Sequence, residues 1–142
     1  MPICSIDLHT TIPHPAGYPT SLDTIYDHIK ARRIDRGLSK VELAKILDVN
    51  PLTIGTWENH HKHLIPRMRK KIINWLGYVP PLGVDENTLW GRLYIYRSIH
   101  GLTQKNISDT LKIDSSSITK IEKNEDVNPS YYKKIKELIE NR

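Results

Sequence analysis

A single cysteine, Cys4, is present in the 142 residues, so no intramolecular disulfide forms and every cysteine-based zinc pattern is excluded. That usage suits a reducing, cytoplasmic setting. No stretch approaches the ~20 apolar residues that a membrane span needs. The opening MPICSIDLHTTIPHPAGYP has neither a basic n-region nor an apolar run, so neither a span nor an export leader is expected. There is no G-x-x-x-x-G-K, no glycine-rich nucleotide loop and no G-x-S-x-G. The acidic residues suggest no catalytic pairing, because Asp48, Asp114, Asp85 and Glu86 sit where turns, caps and helix starts call for them. An enzyme, a cofactor or a bound small molecule is therefore not expected.

What remains is a globular composition, 38% hydrophobic and 26% charged, long enough for one domain or two small ones. The formal net charge is +5 and the pI about 9.3, a mild excess that favours polyanionic partners through counterion release.

The chain repeats itself. At a constant offset of 64, residues 24–58 superimpose without a gap on residues 88–122. Identities fall at Thr24/Thr88, Arg33/Arg97, Gly37/Gly101, Leu38/Leu102, Leu47/Leu111, Ile54/Ile118 and Glu58/Glu122, with Ile29/Leu93, Leu43/Ile107 and Val49/Ile113 among the conservative pairs. Beyond Glu58 an offset of 63 aligns Pro66 with Pro129 and Ile72 with Ile135.

Apolar residues inside each copy recur at three and four, the helical period. The first copy reads as a helix over about 22–36 ending at Gly37, and a short helix over 40–47 opened by the capping box Ser39-Lys-Val-Glu42. A third helix starts at Pro51 behind Asn50, and a fourth runs from Pro66 to Leu76. The second copy reads as helices over about 86–100, 104–111, 115–123 and from Pro129 onward. The expected organisation is all-α: an irregular arm over 1–20, a first unit over 21–77, a short, fairly stiff linker over 78–84 and a second unit over 85–142.

The segments GLSKVELAKILDVNPLTIGTWEN and GLTQKNISDTLKIDSSSITKIEKN resemble the helix-turn-helix of the phage-repressor, Cro and Xre-like family. The resemblance implies two lambda-repressor-like units of four to five short helices each. It also implies that Arg33 pairs with Glu58 and Arg97 with Glu122, both 25 residues apart, as structural ties. In this family the third helix reads the major groove and the start of the second meets phosphate. Carried over by position, the recognition helices are about 51–58 and 115–123. The base-facing residues are Pro51, Leu52 and Thr56 in the first copy, and Ser115, Ser116, Thr119 and Lys120 in the second. Ser39, Lys40, Thr103 and Gln104 face phosphate, and Thr53, Asn59, Lys62, Arg67 and Lys123 extend that set.

The two copies differ in their reading surfaces. Ser115, Ser116 and Lys120 can hydrogen-bond bases, whereas Pro51 and Leu52 donate nothing and Gly55 leaves a gap, so the second copy is expected to read sequence and the first to grip backbone. The expected partner is double-stranded DNA and the expected role transcriptional regulation. Two arrangements stay open: both recognition helices in successive grooves ~34 Å apart, or a homodimer in which one copy dimerises. A different class of function, an adaptor or antitoxin-like protein-interaction module, is favoured by the apolar third helix of the first copy alone. Trp57 and Trp75 read as core, with Trp90 also packed, rather than as base-stacking platforms. His60, His61 and His63 lack the i, i+4 spacing of a helical zinc site, even with His9 or His14 added, and read as a surface loop.

Overall fold

The computed structural model describes residues 16–123 and 125–140. The described residues form helices and no strand: α1 (Ile25–Asp35), α2 (Lys40–Leu47), α3 (Pro51–His60), α4 (Pro66–Leu76), α5 (Leu89–His100), α6 (Gln104–Leu111), α7 (Ser115–Glu122) and α8 (Pro129–Glu140). The fold is all-α. No helix among the described residues is long and apolar enough to cross a membrane. Of the expected N-terminal arm, residues 1–15, with Cys4, His9 and His14, lie outside the described residues.

Helix boundaries follow from local chemistry. Thr24 Oγ1 accepts from the Asp27 backbone N–H at 3.2 Å while Asp27 Oδ2 accepts from the Thr24 N–H at 3.1 Å. This reciprocal cap starts α1 at Ile25, three residues later than the apolar spacing suggests, because the extended Thr24 satisfies the free donors of the first turn. Ser39 and Glu42 make the expected box at the head of α2, and Thr103 with Asn106 makes its counterpart on α6. Likewise α5 begins at Leu89, behind the Thr88 cap, instead of near residue 86. At the other end α7 stops at Glu122, with Lys123 as its cap.

Helix ends repeat as well. Leu38 N–H donates to Arg33 O and Leu102 N–H to Arg97 O, each at 2.9 Å, around Gly37 (φ 66°) and Gly101 (φ 69°). The left-handed turn between α2 and α3 is carried by Asp48 (φ 56°), and that between α6 and α7 by Lys112 (φ 55°). Neither is glycine, so each stores strain that the two flanking helices must offset.

Two apolar clusters form the interior. Ile29, Leu43, Ile54 and Ile72 are fully buried in one; Leu93, Ile107, Ile118 and Ile135 are their counterparts in the other. The offsets between these quartets are those of the sequence repeat, so the same four helix faces point inward in each half. Burial of each such side chain contributes about 1.5–3 kcal/mol. Trp57 is buried in the first cluster. Trp75, expected as core, is only half-buried at its edge, where Arg36 covers its ring at 4.7 Å and donates to Trp75 O at 2.9 Å. Trp90 is half-buried against the second cluster.

The connection over 78–84 does not stand free between the halves. Tyr78 and Leu82 pack against the first cluster, and Pro80 is buried. The halves meet directly through α4 and α5. At their junction Arg69, on α4, donates from Nε to Ser98 Oγ at 2.8 Å and from Nη1 to Leu64 O, with its guanidinium 4.6 Å from the Tyr94 ring centroid.

Candidate nucleic-acid interface

The first turn of α3 follows from the sequence Asn50-Pro51. Asn50 Oδ1 accepts from Leu52 N–H at 2.9 Å, and Pro51 occupies the position where a missing N–H does no harm. Pro51 is exposed and Leu52 is 80% exposed, the most exposed large apolar side chain among the described residues. Thr56, expected to face bases, turns its hydroxyl back to Leu52 O at 2.8 Å.

Gly55 does not leave an empty gap. A Cβ there would lie 3.7 Å from Lys40 Nζ, so the lysine from the head of α2 crosses α3 at that point. The missing side chain is replaced by a cation from the neighbouring helix. Of the positions expected to grip backbone, Ser39, Lys40, Asn59, Lys62 and Arg67 are exposed, and Thr53 is half-buried. Lys62 also accepts the Tyr26 hydroxyl at its carbonyl, 2.9 Å, which ties the loop after α3 to α1.

The head of α7 is built differently. Asp114 caps it, accepting from Ser117 N–H at 3.0 Å, from Ser117 Oγ at 2.8 Å and from Ser116 Oγ. Those hydroxyls, with Ser116 first, hold the Asp114 carboxyl down to about 2. Ser116 therefore donates to its own cap. Thr119 Oγ1 lies 3.1 Å from Ser115 O and 3.3 Å from Gln104 Oε1, and Ser115 Oγ lies 3.4 Å from Ser108 Oγ. Gln104, expected to face phosphate, donates from Nε2 to Glu122. Thr103 is exposed and spends its hydroxyl oxygen on the α6 cap. Of the residues expected to read bases in this half, Lys120 alone is exposed with no side-chain hydrogen bond or ion pair among the described residues; Lys123 is exposed beside it.

Behind each head lies an arginine–carboxylate contact. Arg33 meets Glu58 through both Nε (2.7 Å) and Nη2 (3.0 Å), and its Nη1 donates to Leu38 O at 2.9 Å. Arg97 meets Glu122 through Nη1 only, with Nε on Leu102 O at 3.1 Å, and Gln104 takes the other carboxylate oxygen. Each contact fixes the last turn of the third helix of its half to the first helix and the loop that follows it.

Charge is unequal between the halves. Residues 21–77 hold eleven Lys and Arg against six Asp and Glu, whereas residues 85–142 hold ten against nine. Net positive charge therefore belongs almost wholly to the first half. Among the described residues no group of three or more His, Cys, Asp and Glu is placed to hold a metal.

Three features escaped the sequence reading. Gly91 has Asp85 O only 1.9 Å from where its Cβ would stand, so no other residue fits without moving backbone. Asp114 was read as a cap but not as the sink for two serine hydroxyls. Arg69 lies on the apolar stripe of α4 with Met68, Ile72, Ile73 and Leu76, and a charge at such a position is a visible signal. Comparison with protein-family models, curated proteins and solved structures finds no match to this chain.

Proposed function

We propose that this protein binds double-stranded DNA as a sequence-reading regulator of prokaryotic or phage type, with α3 and α7 presented to the major groove. The observation that carries the reading is one arrangement present twice. A short capped helix, a left-handed turn and a second short capped helix with an exposed first turn are braced from behind by an arginine–carboxylate contact. The resemblance to phage-repressor, Cro and Xre-like helix-turn-helix segments supports the same reading.

The first half supplies backbone grip, since it holds the net positive charge and Lys40 lies across α3. Base readout rests on Lys120, whose ammonium suits guanine O6 and N7. Ser115, Ser116 and Thr119 join it only by exchanging internal hydrogen bonds for base contacts. Titration of a labelled duplex over a salt series tests this division. Lys120→Ala should cost about 1–3 kcal/mol on the preferred site and relax specificity, whereas Lys40→Ala should weaken all duplexes alike and reduce the salt slope by about one. Unchanged affinity and preference in Lys120→Ala would remove that residue from the readout.

A second reading is favoured by Leu52. An 80% exposed leucine at the head of α3 suits an apolar partner surface, and a protein-interaction module, adaptor or antitoxin-like, follows if no duplex is bound.

A further inference from the structure

Arg69 is 3% exposed, yet among the described residues no carboxylate lies within ion-pair distance of it. Its partners are a serine hydroxyl, a carbonyl and the face of Tyr94. A buried charge outside any direct ion pair is expensive: burial lowers the Arg69 pKa and the nearby Arg97 acts in the same direction, while Tyr94 and the Glu122 carboxylate offset only part of it. The same guanidinium lines a cavity of about 430 Å³ between the halves, which Arg97, Lys105 and His63 also line. One carboxylate, Glu122, faces this space, and its two oxygens are taken by Arg97 and Gln104. Arg69 and Lys105 are left without a direct ion pair among the described residues.

We infer that this cavity is an anion site, taking a phosphate-class oxyanion against Arg69 and Lys105 at the junction of the two halves. Such an ion adds to the counter-charge near Arg69 and makes charge-assisted hydrogen bonds with both cations. It also sits against both α4 and α5, so its binding ties the halves together. The ion is either free in solution or a phosphate of a DNA backbone, since Thr103 and Gln104 at the head of α6 line the same cavity.

The test is thermal unfolding of the full chain in inorganic pyrophosphate, against sodium chloride at matched ionic strength, with duplex affinity measured in parallel. A saturable rise in Tm in pyrophosphate, absent in chloride, is expected. Lys105→Ala, at an exposed position, should weaken that response about tenfold. Arg69→Met, which keeps the buried volume, should abolish it while leaving the chain folded; where it does not fold, Lys105→Ala carries the test. A parallel loss of duplex affinity in Lys105→Ala assigns the ion to the DNA backbone, even where free pyrophosphate gives no response. Unchanged duplex affinity beside a lost pyrophosphate response assigns it to a free ion. No saturable response together with no change in duplex affinity overturns the site, as does an undiminished response in Arg69→Met. A chain that binds no duplex at all leaves the pyrophosphate result standing, so the two proposals fail separately.

Discussion

Glu58 and Glu122 hold the same place in the two halves and are bound differently. Glu58 takes both hydrogen bonds of an arginine fork and its side chain is 1% exposed; Glu122 divides its oxygens between Arg97 and Gln104 and is 12% exposed. The difference begins at one position, Lys40 against Gln104. In the first half that residue lies across α3 at Gly55, while in the second it reaches back to the carboxylate. One fold position thus points a cation outward in one copy and completes an internal network in the other. Repetition conserves the four paired buried apolar positions and lets the polar shell around them diverge.

That contrast is sharpest in the response to losing the arginine. Arg33→Ala leaves Glu58 buried without a partner and should cost about 3–5 kcal/mol. Arg97→Ala leaves Glu122 with Gln104 and partial exposure, and should cost less, about 1.5–3 kcal/mol. Urea unfolding of both variants decides it, and equal losses would mean that the two contacts are equivalent.

The heads of α1 and α5 give the next largest difference. Gly91→Ala forces the Asp85–Thr88 turn away from α5 and should destabilise by about 1–3 kcal/mol. Its counterpart Asp27→Ala removes only a cap bond, worth about 1 kcal/mol. A harmless Gly91→Ala would show that the turn is free to move.

Smaller effects follow from the turns. Lys112→Gly relieves a left-handed lysine and should stabilise by about 0.5–1 kcal/mol, whereas Asp48→Gly should gain less because aspartate tolerates that conformation better. Thermal unfolding resolves both, and a loss of stability in Lys112→Gly would refute strain at that turn.

The last difference is local and depends on pH. Because the Asp114 carboxyl is held down from its ordinary 3.8 to about 2, its cap is fully present above pH 3.8 and is lost as pH falls through about 2. Asn50, at the same place on α3, does not titrate. Amide shifts of Ser116 and Ser117 should therefore move between pH 4 and 2 while those of Leu52 and Thr53 stay fixed. Movement at both heads would point to general acid unfolding instead.

How much of this was legible in the sequence depends on what kind of interaction set each feature. Periodicity and offset reveal the helices and the quartets such as Ile29 with Leu93, since burial of an apolar face is a pattern along the chain. Ser39-x-x-Glu42 declares its cap because the bond is local. The starts of α1 and α5 lie three residues later than the apolar spacing suggests because Thr24 and Thr88 cap two residues inside it. Ser116 and Gln104 are placed as DNA contacts by their position in the family resemblance, while their bonds to Asp114 and Glu122 depend on side-chain geometry that no position along the chain announces. The contact of Arg69 with Ser98 joins residues 29 apart on different helices, and no local pattern announces it.

The most direct measurement is selection of bound duplexes from a random pool by the full chain, followed by affinity for the selected and a scrambled duplex over a salt series. A defined motif, bound well above scrambled DNA, is expected, with base preference confined to the half-site read through Lys120 and a salt-dependent backbone term beside it. Absence of any bound duplex at low salt would contradict DNA binding and move the exposed Leu52 surface, as a protein-docking site, to first place.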